Sequence, residues 1–450
     1  MFCARLQHKN YFHVVQTPPK PQHGCNNWLI FAFFRNCMQK VCFVDSCLVR
    51  VESPYFAVGA APRCSADYRA VALASLRKQV WLSCIALALI GLLAPPLLFA
   101  QQNATTDPRQ TAQRLLADAL LLVAKENRYE EALALLQQAR HLDSRNPTYR
   151  YEIATIKYQQ KKYSDVIGLM KTAVRSSKAT PDYYRLLGNA YDLAGKTQRA
   201  TKTYQRGIRR FKKAGTLYAE LGGMAYRKGN NDAAVEWWEQ GIEKDPDFAT
   251  NYYWAAQLYC HSSEKLWGLL YAELFMQLEP NGTRNKNISQ LLYKTLSEAL
   301  QAPTDSTAAT VSFSEKAQLY LLLNETEIDS VLPFQVLYNI DAQWAMPLPL
   351  RDKNLPTLYI FRKDWLNRWL NQQHQQYQPN LVFMRQQQIE QAQHLEAYTY
   401  WLLREGQPAV FEQWLQEHRY SFKLFLDWFN QHPLLLNEQH RFYRRQYLKH

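Results

Sequence analysis

Small and large residues alternate through the middle of the chain with a long period. Pro181–Ala214 is a 34-residue stretch that reads as a helix, a turn at Ala194-Gly195-Lys196 and a second helix. Gly188, Ala200 and Gly207 sit where two helices would touch, and Leu187, Tyr191 and Tyr204 fill the space between. A step of 34 carries Gly188 to Gly222, Gly195 to Gly229, Ala200 to Ala234, Tyr204 to Trp238 and Gly207 to Gly241. The reverse step carries Leu187 to Ile153, Gly188 to Ala154 and Gly207 to Ala173. Five frames follow, starting at Gln113, Pro147, Pro181, Gly215 and Ala249, with no insertion between them. The fifth is the most degraded, with Gly268 and Phe275 at the two small positions. One helix pair cannot bury its apolar face alone, so the frames must stack.

This period and this small/large pattern resemble the tetratricopeptide repeat family, over 113–282. The resemblance implies an all-α solenoid in which the first helix of each pair lines a concave groove and the second faces outward. The family's groove positions fall on Tyr151, Thr155 and Tyr158 in the second frame, Arg185 and Asn189 in the third, Tyr226 and Arg227 in the fourth, and Tyr253 and Gln257 in the fifth. Tyr and Arg give large contact area at low entropic cost, as binding surfaces require. Arg185 and Asn189 match a pair that some members use to hold a peptide carboxylate, but the fourth frame has Ala219 and Gly223 there, so the clamp is incomplete. The expected partner is a protein, presenting a peptide or helix to the groove.

The flanks differ in pattern. Val80–Ala100 is apolar and free of charge, follows Arg77-Lys78 and ends in a small residue before polar Gln101-Gln102. It reads as a signal peptide or a transmembrane signal anchor over 79–100. Either version exports the repeats, to the periplasm or cell envelope of a bacterium. Residues 1–78 then form an N-terminal extension, unstructured or preceding the true start, and 101–112 a linker. Beyond the repeats, 283–450 resumes helical spacing at Asn287–Leu300, Phe361–Gln375, Leu381–Glu405, Ala409–Arg419 and Phe422–Gln431, with irregular chain and one short strand expected across Asp329–Leu358.

Charge changes the picture in one place. The chain is 450 residues long with a formal net charge of +14. Residues 147–214 hold sixteen Lys/Arg against Glu152, Asp165, Asp182 and Asp192. Most of the excess, Lys171, Arg175, Lys178, Arg199, Lys202, Arg206, Arg209, Arg210, Lys212 and Lys213, falls on second helices and the loops after them. A convex basic face on repeats two and three suits solvent or an anionic envelope surface. Nucleic acid is disfavoured, because no reading helix or stacking platform accompanies the charge.

Catalysis has little to stand on. Cys37, Cys42 and Cys47 lack the close pairing of a zinc site. Glu390 and His394 lie four apart, on one face of a predicted helix, without a third ligand. No phosphate-cradling glycine loop or Gly-x-Ser-x-Gly occurs. The expectation is a non-enzymatic interaction scaffold with no cofactor and no metal. The alternative is an envelope enzyme or ligand-binding protein with its site in the C-terminal helices, positioned by the repeats.

Overall fold

A computed structural model describes residues 107–301, 310–323, 332–347 and 352–448. The expected extension, the apolar segment 79–100, the first half of the linker and the Cys37–Cys47 run lie outside the described residues, and the second half of the expected linker is helical from Pro108. Five antiparallel helix pairs come first: α1 (Pro108–Glu126) with α2 (Tyr129–Leu142), α3 (Thr148–Gln159) with α4 (Tyr163–Ala173), α5 (Pro181–Leu193) with α6 (Thr197–Arg210), α7 (Gly215–Arg227) with α8 (Asn231–Lys244), and α9 (Ala249–Cys260) with α10 (Lys265–Leu278). Each first helix packs on its second, and each second helix on the next first. From α3 to α9 consecutive first helices also touch one another, whereas second helices do not pack on one another to that extent. The first helices therefore form the tighter, concave layer.

The repeated small residues have two uses. A Cβ on Gly188 would collide with the Tyr204 ring, and one on Gly222 would collide with Trp238, so this position admits the large residue of its own second helix. A Cβ on Gly207 would strike Leu217, and one on Gly241 would strike Asn251, so that position admits the next first helix. The turn inside each of the first four pairs needs a left-handed residue. Asn127, Lys161, Gly195 and Gly229 supply it at φ 51°, 61°, 73° and 76°. The fifth pair uses a different turn. Leu266 N donates to Phe313 O at 2.9 Å, and Ser314 Oγ donates to Glu264 Oε2 at 2.8 Å, so the following chain grips the end of the solenoid.

α11 (Asn285–Ala299) packs on α9 and α10 and continues the inner layer. β1 (Leu300–Gln301) and β2 (Thr310–Val311) pair antiparallel, Leu300 opposite Val311. Then come α12 (Glu315–Leu323), α13 (Phe334–Trp344), α14 (Leu355–Asn371), α15 (His374–Tyr377), α16 (Leu381–Gln391), α17 (Leu395–Leu403) and α18 (Pro408–Gln431). Three expectations need correction. The irregular stretch contains α13, and Pro356 begins α14 instead of interrupting it, with Asn354 Oδ1 accepting from Thr357 N at 3.0 Å. The single helix expected over Leu381–Glu405 is broken after Gln391, where Gln393 takes φ 60°. The helices expected at Ala409–Arg419 and Phe422–Gln431 are one, α18, kinked at His418.

The core does not stop at residue 282. One continuous cluster runs from Ala234 in α8 to Phe442, while α1–α7 hold three smaller ones. The last described segment returns to the repeats as a strap. Phe442 is fully buried, and the Tyr447 ring lies 4.4 Å from Phe334 and 6.0 Å from Trp267. Arg444 Nε donates to buried Glu239 at 2.9 Å, and Arg445 pairs with Glu243 at 3.1 Å. A basic strap thus lies on the acidic face of α8.

Candidate functional site

The concave layer is the candidate interface, and the nine residues expected on it divide into three groups. Tyr151, Asn189 and Tyr253 are buried. Tyr151 stacks on Tyr183 at 4.6 Å, joining α3 to α5. Asn189 Nδ2 donates to Glu220 Oε1 at 3.1 Å, and its Oδ1 accepts from the Tyr204 hydroxyl. Tyr253 donates to Asn287 Oδ1 at 3.3 Å and lies 4.9 Å under the Arg284 guanidinium. These residues join neighbouring first helices and offer little to a ligand.

Thr155, Tyr158, Arg185 and Gln257 are half-buried. Thr155 Oγ1 donates to Tyr151 O at 3.0 Å, and Gln257 Nε2 donates to Asn287. Burial pushes the Tyr158 hydroxyl up to about 12, so it is a neutral donor at any physiological pH. Arg185 Nε donates to Asp182 Oδ1 at 3.0 Å. Burial works against its charge, but Asp182 and Glu220 more than offset it and raise its pKa. Arg185 and Asn189 therefore do not form a clamp: the arginine is paired, and the amide faces the protein interior.

Tyr226 and Arg227 remain on the surface. Tyr226 is 50% exposed, and Leu193, one residue further along its own frame, is 53% exposed. Arg227 Nη2 pairs with Asp192 Oδ2 across the two helices at 2.7 Å. The accessible concave surface thus centres on the C-terminal ends of α5 and α7, with Leu121 of α1 adding a further exposed apolar side chain. Leu193 is itself one of the family's groove positions in the third frame, and its exposure sets it beside Tyr226 as an apolar contact.

The C-terminal helices hold a buried polar network instead of an open site. Arg362 Nη2 lies 3.0 Å from both oxygens of Glu273, which also accepts from Gln386 at 2.9 Å and Tyr398 at 2.9 Å. Arg385 Nε donates to Gln277 at 3.0 Å. Glu273 stands alone in the apolar run of α10, and a carboxylate there needs partners from elsewhere. The Glu390–His394 pair is not on one helix. Glu390 lies 3.8 Å from Lys363, while His394 precedes α17 with its ring against Phe425 and Trp428, and burial pushes its pKa down. Burial also pushes the Cys260 thiol up to about 12, far from a nucleophile's range. Among the described residues no group of three His, Cys, Asp or Glu could hold a metal ion, and no helix is long and apolar enough to cross a membrane.

Two tetratricopeptide repeat family models match the chain, over residues 123–190 and 185–249. No curated protein matches it. Solved structures do. YrrB, described as a TPR protein with an unusual peptide-binding site, is 21% identical, covers 41% of this chain and 93% of its own, and has a TM-score of 0.28. PilF of Pseudomonas aeruginosa is 14% identical over 42% and 85%, with a TM-score of 0.36. A thermophilic TPR protein of Thermus thermophilus, TTC0263, is 19% identical over 41% and 98%, with a TM-score of 0.33. Residues 123–249 are tetratricopeptide repeats, on the family models and the repeated packing described above.

Proposed function

We propose that the protein is an interaction scaffold that holds a segment of a partner protein along its concave layer. Repeats of this family are generally interaction modules. One observation supports the site most directly: Leu193 and Tyr226, on adjacent first helices, keep about half their surface in water while nearly every other large apolar residue of α5 and α7 is buried. Affinity capture with the full chain and with Leu193→Asp/Tyr226→Ala tests this. A protein retained by the wild type and lost by the variant supports the site. Equal capture by a folded variant rejects it.

We place the repeats outside the cytoplasm, in the cell envelope, on the strength of the apolar, charge-free Val80–Ala100 segment. The basic residues on α4, α6 and their following loops are exposed and suit an anionic envelope surface. A phosphatase reporter fused after α10, active only after export, checks the placement. An inactive fusion at normal expression would overturn it.

A further inference from the structure

Charge is sorted by face around the three central first helices, and the sorting opposes the net charge of the segment. At 100° per residue, Glu152, Asp182, Asp192, Glu220, Arg185 and Arg227 share the concave side with Leu193 and Tyr226. Arg150 and Lys157 fall on the opposite side, and Arg150 Nη1 donates to Ser144 O at 3.0 Å behind the layer. Four carboxylates therefore accompany two guanidiniums, and Asp182 and Asp192 already pair with both.

That leaves Glu152 and Glu220. Glu220 accepts from Asn189 at 3.1 Å and lies within the field of Arg185. Glu152 is half-buried beside the stacked Tyr151–Tyr183 pair, and among the described residues no donor reaches it. Burial pushes its carboxyl up to about 7. A carboxylate that has lost water without gaining a donor gains most from a cation delivered from outside.

We propose that the concave layer selects a partner segment carrying a lysine or arginine, with Glu152 as the principal acceptor and Glu220 as the second. The inference rests on the groove reading above and supplies the partner's chemistry. It also separates the two faces: the strongly basic outer surface and the acidic inner strip cannot serve the same kind of ligand.

The test uses the full chain and synthetic twelve-residue peptides, acetylated and amidated, with Lys, Arg, Gln or Glu at one central position of a fixed apolar background. Binding is read by fluorescence anisotropy at pH 8. Lys and Arg peptides should bind roughly tenfold or more tighter than the Gln peptide, and Glu152→Gln/Glu220→Gln should erase that preference at unchanged helix content. If Lys and Gln peptides bind equally, and Leu193→Asp/Tyr226→Ala weakens both, the groove stands and the cation preference falls. If no peptide binds in a way sensitive to Leu193→Asp/Tyr226→Ala, the groove reading falls with it.

Discussion

The solenoid up to α7 and the region from α8 onward are built on different principles, although both are helical and one runs into the other. The first part is stabilised by repetition. Each interface reuses one small/large pair, and each pair meets only its neighbours. The second part is stabilised by convergence. Its aromatic cluster draws side chains from α8, α10, α13, α14, α16, α17, α18 and the strap, and its polar network ties Glu273 to residues 89 to 125 positions away. A modular region should yield locally, and a convergent one as a unit.

The sharpest way to break this comparison is Glu273→Ala. It leaves Arg362 charged, buried and unpaired, and should cost about 3–5 kcal/mol. Urea unfolding followed by tryptophan fluorescence should show the loss, since every tryptophan of the described residues lies at or beyond Trp237. The helix signal of α1–α6 should keep its midpoint. One common shift in both signals would mean the two regions unfold as one.

Gly188→Ala is the converse. The Tyr204 ring cannot swing away without leaving its hydrogen bond to Asn189, so a cost of about 2–3 kcal/mol is expected. Here the far-ultraviolet signal should move and the tryptophan signal should not.

Glu152→Gln is smaller and reverses in sign. Its folded pKa is above the ordinary carboxylate value, so the native state binds more protons between about pH 4.5 and 7. Stability therefore falls as pH rises through that window, and the penalty is complete above it. The variant should be more stable than wild type by about 1 kcal/mol at pH 8 and equal to it near pH 4. A loss of stability at pH 8 would mean the carboxylate has a native partner. Arg206→Ala, exposed on α6, should change stability by less than about 0.5 kcal/mol at any pH.

The same contrast explains what could be read in advance. Gly188, Tyr204 and Gly207 act within one repeat or on the next, so a 34-residue step exposes them. Lys161 also falls at the turn position, but without the glycine that marks it. In the second region no period links Glu273 to Arg362, and Pro333 and Pro356, which start α13 and α14, resemble interruption in the sequence. The groove was half legible. The inner face of each first helix follows from the register, but which of its residues turn toward a neighbouring helix depends on pairs far apart in the chain, such as Asn189 with Glu220. Glu152 was visible only as one acid in a basic segment.

The strap also sets an order of events. Phe442, Arg444 and Tyr447 are synthesised after everything they pack against. At usual rates of translation, Trp267 and Tyr271 wait roughly 10–30 s for them. During that interval the first repeats can stack as they emerge, while the acidic side of α8 and the aromatic end of the solenoid stay open to chaperones, to water or to a neighbouring chain on the same message.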